Sequence, residues 1–288
     1  MKRRHIFQDI LILNEKFVES SDGVEFAKYK DHQQPYITML TCADSRIQGQ
    51  MFGMDIINKV FTIRNAGNQF AMNKGSIAYA ITTLNTPLLL IIGHTNCGAV
   101  KFAAGACLAK IRKLPETEET PDAEPVNNLK KKHRGIQLTI PKGESLSISK
   151  LKEVDFSAVS REVQREMLPL TIPIERGIGQ LPKIHDELKE LAYLSQINVD
   201  YQVEKALEYY GDRVKEDALT VIGGIYDFVG AYSDVLGRII VTNINGIYDK
   251  NKLKECAMAF YETDDTLDKS GEVYNLCCKL IDEKVNRI

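Results

Sequence analysis

The sequence has no stretch approaching the ~20 consecutive apolar residues that a helix needs to cross a bilayer. Near its start, a basic Met1-Lys2-Arg3-Arg4-His5 precedes Ile10-Leu11-Ile12-Leu13. Gln8, Asp9, Asn14 and Glu15 confine that apolar run to four residues, too short for the core of a secretory signal, and no small-residue cleavage site follows. Neither sign of charge dominates: 37 Lys and Arg face 39 Asp and Glu, for a formal net charge of -2. Composition therefore gives no electrostatic case for nucleic acid or an anionic membrane as partner. There is no G-x-G-x-x-G; Gly223-Gly224 stands alone, so a nucleotide-binding reading fails for want of a phosphate-cradling loop. Internal repeats and low-complexity segments are missing as well. Six cysteines in 288 residues are too few for a disulfide scaffold. What these absences leave is a cytoplasmic globular enzyme, large enough to bury a sizeable core in one domain with appendages.

What is present is an alternation of apolar runs with helix-like segments. Residues 5–30 read as helical, with Ile6, Ile10, Leu13 and Phe17 on one stripe, so an N-terminal helical arm is expected over 1–32. Strands are expected at 36–41, 60–63, 88–92, 218–225 and 238–242, and a helix at 75–84. Strands alternating with helices imply right-handed crossovers. The expected fold is one α/β domain: a mainly parallel central sheet, four parallel strands plus an edge strand, flanked by helices. Residues 110–175 change character. Three prolines and five acids between Pro115 and Pro125 precede Lys130-Lys131-Lys132-His133-Arg134, the pattern of a solvated surface insertion. Helical patterns resume at 157–168, 182–196 and 199–210, with Pro169 and Pro173 as breaks and Asn198-Val199-Asp200 as a helix start. A helical tail is expected over 247–288.

The chemistry gathers just past two strand ends. Thr41-Cys42-Ala43-Asp44-Ser45-Arg46 follows the first strand, and Gly93-His94-Thr95-Asn96-Cys97-Gly98 the third. That edge is where open α/β sheets place their sites. Cys42, His94 and Cys97 form a Cys2His set, which suits Zn2+ and leaves one position open. Asp44 can take that fourth position, and Arg46 can compete for its carboxylate through a bidentate pair. The spacing thus suggests a site that opens and closes. Spacing alone leaves catalysis and structure near even. Cys107, Cys256, Cys277 and Cys278 read as small buried hydrophobes.

Together with Arg64-Asn65-Ala66-Gly67-Asn68, the blocks Cys42-Ala43-Asp44-Ser45-Arg46 and Gly93-His94-Thr95-Asn96-Cys97-Gly98 resemble the three signature blocks of the β-class carbonic anhydrases, in the same order. The resemblance covers about residues 30–105 and resumes more weakly at 218–246. It implies zinc on Cys42, His94 and Cys97, with Asp44 and Arg46 as a gating dyad. It also implies reversible hydration of carbon dioxide to bicarbonate by zinc-bound hydroxide, with the Gly98 N–H facing substrate. Gln33, Phe61 and Tyr79 match positions of the plant-type branch, where such side chains bind bicarbonate or wall the pocket, some of them from a neighbouring subunit. A homodimer or higher homo-oligomer follows from that. Core packing is the alternative for Phe61 and Tyr79, and a plain loop position for Gln33.

The chain departs from the family in three ways. The separation of Cys97 from Val221 is about twice that common among relatives, Ala78 stands where many carry Glu, and the lack of tryptophan leaves the Trp-containing allosteric bicarbonate pocket of one subset unsupported. Two alternatives stay open at this level. One is hydrolysis of carbon disulfide or carbonyl sulfide at the same zinc. The other is a non-catalytic homologue that binds zinc or bicarbonate.

Overall fold

A continuously apolar strand with a covered face on each side has to sit mid-sheet, and the two strands that end in the cysteine motifs do so. In this computed structural model, which describes residues 3–20, 27–52, 56–113, 159–181 and 186–263, β1 (Ile37–Cys42) lies between β2 (Val60–Asn65) and β3 (Leu88–His94). The sheet continues through β4 (Thr220–Asp227) to β5 (Arg238–Ile244), giving the order β2-β1-β3-β4-β5. The first four strands run parallel and β5 pairs antiparallel with β4. The mainly parallel α/β sheet with one antiparallel edge strand is therefore as expected, with β2, β3, β4 and β5 each ending two residues later than their sequence patterns and β4 also starting two later.

Helices flank the sheet. α1 (Arg3–Ser20) precedes the sheet. α2 (Lys74–Ala78) widens into a π turn over Tyr79–Thr83, where the Leu84 N–H donates to Tyr79 O. α3 (Gly98–Lys113) leaves the end of β3. Two short helices follow, α4 (Arg161–Met167) and α5 (Thr171–Ile178), then the 29-residue α6 (Glu187–Lys215) and, after β5, α7 (Lys250–Thr263). α6 presents Val199, Val203 and Ala206 to Leu40, Leu89, Ile91, Val221 and Ile225 of the sheet, all of them buried. Burial of each such Val, Leu or Ile contributes about 1.5–3 kcal/mol. The approach is close because the strands carry Gly93 and Gly223 beneath it: a Cβ on either would lie 2.6 or 2.8 Å from a Val199 methyl. Met39, Leu90 and Ile92 fill the other face with Met51, Phe52 and Ile239.

Three expectations need correction. Asn198-Val199-Asp200 starts no helix; α6 runs through it from an Asp186 cap whose side chain accepts from the Lys189 N–H. Asn198 instead is buried and turned across the molecule. Pro169 does mark a break, since α4 ends at Met167 just before it, but Pro173 does not, because it falls in the opening turn of α5, where a missing N–H costs nothing. Pro169 sits in the 3-10 turn Leu168–Leu170 and Pro173 at the third position of α5. Nor is the whole of 110–175 a surface insertion. Leu170 and Ile174 are fully buried against α3 and Cys97, while 114–158 lie outside the described residues. Cys107 is a buried hydrophobe as read; Cys256 is half-buried, and the tail beyond 263, with Cys277 and Cys278, is outside the described residues. The apolar stripe of α1 stays exposed within the chain, with Ile6, Ile10, Leu13 and Phe17 each about half accessible.

Candidate metal centre

Parallel pairing of β1 with β3 puts Thr41 opposite Ile92, so the next residues of both strands emerge side by side. Cys42, His94 and Cys97 are brought together there, each buried, with ligand atoms all within 4.8 Å of one another. The two sulfurs are 4.0 Å apart, near the roughly 3.8 Å expected of two tetrahedral thiolates at Zn–S of about 2.3 Å. His94 Nδ1 faces the Thr95 carbonyl at 2.9 Å, so it carries the proton and donates. The lone pair is left on Nε2, which is buried without a hydrogen-bond partner. An orphaned buried nitrogen costs about 1–3 kcal/mol; a cation among these three donors removes that cost. Two soft sulfurs and an imidazole fit zinc better than magnesium or calcium.

Asp44 and Arg46 stand at the mouth. Arg46 Nε donates to Asp44 Oδ1 at 2.8 Å and Nη2 to Oδ2 at 2.7 Å, with the Arg46 backbone N–H adding a third bond at 3.0 Å. Asp44 Oδ2 is 3.8 Å from His94 Nε2. The carboxylate thus lies beside the donor cluster while paired away from it. Arg46 also donates to Asn96 O at 3.2 Å and lays its guanidinium over the Phe228 ring.

Main-chain contacts hold this loop. Arg64, at the end of β2, donates to Cys42 O at 3.1 Å and Asp44 O at 2.7 Å, fixing the turn between thiol and carboxylate. Gly67 donates its N–H to Cys42 Sγ at 3.4 Å. Its φ of +77° suits glycine, and a Cβ there would lie 2.6 Å from Leu170. Asn198 of α6 donates to Gly67 O at 3.0 Å, and Gln202 donates to Asn198 Oδ1 while accepting from the Phe70 N–H. From α4, Glu166 accepts from the Ala66 N–H through Oε1 and from Gln69 Nε2 through its carbonyl.

These contacts set the charges. A hydrogen bond from the Cys97 thiol, helped by His94 and the Gly67 N–H against opposing burial, lowers Cys42 to about 4. The same bond and burial push Cys97 well up, so the two sulfurs share one proton. The Arg46 hydrogen bonds hold Asp44 well below the usual carboxylate range, and Asp44 in turn raises Arg46.

The family model described as carbonic anhydrase matches residues 37–171. Carbonic anhydrase 2 of Mycobacterium tuberculosis is 39% identical over 75 residues, 26% of this chain and 36% of that protein. The carbonic anhydrase of Synechococcus elongatus is 39% identical over 98 residues, 32% of this chain and 34% of that protein. Among solved structures, one of two tetrameric β-carbonic anhydrases from the ascomycete Sordaria macrospora shares the fold with a TM-score of 0.56 at 20% identity, over 82% of this chain and 96% of that one. The chain shares the β-carbonic anhydrase fold, and a little under half of it matches the carbonic anhydrase family model. It spans about a third of the length of these two curated relatives.

Of the residues that the β-carbonic anhydrase resemblance singled out, the structure gathers Cys42, Asp44, Arg46, His94 and Cys97 into one cluster. Gly98 opens α3 directly after Cys97, and a Cβ on it would meet nothing within 4 Å. Gln33, Phe61 and Tyr79 are elsewhere. Phe61 and Tyr79 pack on each other, with ring centroids 6.0 Å apart, and Tyr79 is 45% exposed. Phe61 pairs with Thr38, four positions before Cys42, about 13 Å away along the strand at ~3.3 Å per residue. Gln33 is exposed ahead of β1. Neither Phe61 nor Tyr79 is wholly core. Sequence reasoning missed Asn198, Gln202, Glu166 and Phe228. The pair Asn198 and Gln202, four apart on a helix face, was the one available signal.

Proposed function

We propose that the chain is a zinc-dependent enzyme interconverting carbon dioxide and bicarbonate, gated by Asp44 and Arg46. The observation that carries it is the buried Cys42, His94 and Cys97 cluster, with an unpartnered Nε2 and an arginine-paired carboxylate 3.8 Å from it. Zinc on these donors supplies the Lewis acid that lowers the pKa of water toward ~7 and so provides a hydroxide nucleophile at neutral pH. Cys42, His94 and Cys97 would hold the metal; Asp44, while paired with Arg46, would stay off it and accept a hydrogen bond from the nucleophile. Released by Arg46, the same carboxylate, 3.8 Å from His94 Nε2, would be near enough to close the site. The Gly98 N–H, at the start of α3, offers a donor to a developing oxyanion. Gln33, Phe61 and Tyr79 serve the site of a second copy in a cytoplasmic homo-oligomer.

Stopped-flow hydration of carbon dioxide by the zinc-loaded protein is the test, with carbon disulfide and carbonyl sulfide run beside it. Turnover should rise through pH about 7–8 as the nucleophile ionises. Protein with one zinc per chain and no activity at pH 8.5 would overturn the assignment; turnover of the sulfur substrates alone would move the substrate and keep the site.

A further inference from the structure

Phe228 touches both the metal cluster and its gate. The Arg46 guanidinium carbon lies 4.5 Å from the ring centroid, and the His94 imidazole stacks on the same ring at 5.7 Å and 23°. The Phe228 backbone is fixed from both sides. Its N–H donates to Thr95 Oγ1 at 3.2 Å, which ties it to the residue after His94. Immediately before it, the fully buried Asp227 gathers five main-chain donors: Oδ1 accepts from Val229, Gly230 and Ala231, and Oδ2 from Tyr232 and Ser233. The distances run from 2.8 Å at Tyr232 to 3.4 Å at Val229. The carboxylate's acceptor capacity is filled by one turn of its own chain. That turn cannot shift without exposing several buried amides, so the ring it carries is a rigid platform.

We propose that Phe228 is a positioning residue for the gate. Its ring keeps the Arg46 guanidinium in place when Asp44 is not paired with it, and Asp227 fixes the ring. The inference rests on the zinc-dependent reading above and deepens it. Arg46 is a long side chain, 47% exposed. With the Asp44 bonds broken, it keeps one bond to Asn96 O and the face of Phe228. A free arginine of this length would spread over many rotamers, and the carboxylate would have no fixed partner to return to. A planar guanidinium stacked on an aromatic face is held while its edge donors stay available.

The test reads Arg46 directly. In zinc-loaded protein, hydrogen exchange of the Arg46 Nε–H is measured by NMR in Asp44→Ala, which removes the carboxylate. It is then measured with Phe228→Leu, Phe228→Met or Phe228→Tyr added. Leu and Met, which lack an aromatic face, should speed exchange at least tenfold, and Tyr should leave it within twofold. Backbone amide signals outside the loop should stay unchanged. In the chain with Asp44 intact, Phe228→Leu should lower kcat five- to tenfold at unchanged zinc content, with Tyr restoring it. Exchange within twofold for all four proteins would overturn the proposal, as would failure of Tyr to rescue. Either result is distinct from failure of the zinc reading, which shows as unvaried protein that takes up no zinc or turns over no carbon dioxide.

Discussion

At the carboxyl end of β1, Cys42 is 4% exposed and its sulfur, its carbonyl and the carbonyl of Asp44 each accept a hydrogen bond from β2 or the turn beyond it. At the amino end, Gln33 and Tyr36 are exposed, and Phe61 and Tyr79 meet in a pair open to solvent on one side. The same strand thus begins at an unfinished surface and ends in a closed one. Metal donors have to be held rigidly before the ion arrives, and a single chain can do this with main-chain bonds. Under the function proposed above, walls for a small substrate need only be in place once the site is assembled, and Phe61 sits about 13 Å from Cys42 along the sheet. That reading would give the two ends separate tasks, one internal to the chain and one directed at a neighbour.

The largest expected effect breaks the closed end. Cys42→Ala leaves two donors, too few to hold zinc in this set. Zinc measured by mass spectrometry after dialysis against a chelator should fall to below about a tenth of the level retained by the unaltered chain. Retention of stoichiometric metal would show that the donors are misassigned. A smaller effect is expected from Gly67→Ala. It places a Cβ at φ +77° and 2.6 Å from a Leu170 methyl, so left-handed strain and overpacking add to about 2–4 kcal/mol. A denaturant midpoint that implied less than about 0.5 kcal/mol would mean that the loop yields, and that the closed end is not rigid.

How far this contrast could be read from the sequence follows from which contacts are local. Leu88 to Ile92 is apolar throughout because β3 is covered on both faces, and the His94-x-x-Cys97 donors follow within a few residues, so strand and site were both legible. Asn198 misled for a physical reason. Asn is a favoured helix cap, but here its amide serves Gly67 O, 131 positions away, and no local pattern carries that. Pro173 misled likewise, since whether proline breaks a helix or opens one depends on its place in the turn. Glu166 and Leu170 were lost inside what read as a solvated insertion, because composition around 115–134 coloured its neighbours. Tyr79 was legible as an aromatic of interest but not as an exposed one.

Tyr79 also gives the smallest expected effect on the chain and the sharpest test of the contrast. At 45% exposure, its replacement by Ala should change the stability of the fold by no more than about 0.5–1 kcal/mol. Were the ring a wall of its own chain's site, lost activity would track that chain alone. Were it to serve a second copy, lost activity would be recoverable by mixing. A chain carrying Cys42→Ala has no metal of its own but an intact Tyr79; a chain carrying Tyr79→Ala has the metal and lacks the ring. Combined and allowed to exchange subunits, they form a mixed pair in which one metal centre faces one intact Tyr79. Specific activity per Tyr79→Ala chain should then rise about two- to fivefold as the Cys42→Ala chain is added in excess, the range expected for a contact worth about 0.5–1 kcal/mol. Flat activity across the titration, with exchange confirmed by native mass spectrometry of differently tagged chains, would place the ring outside any neighbour's site and leave the amino end of β1 as ordinary surface.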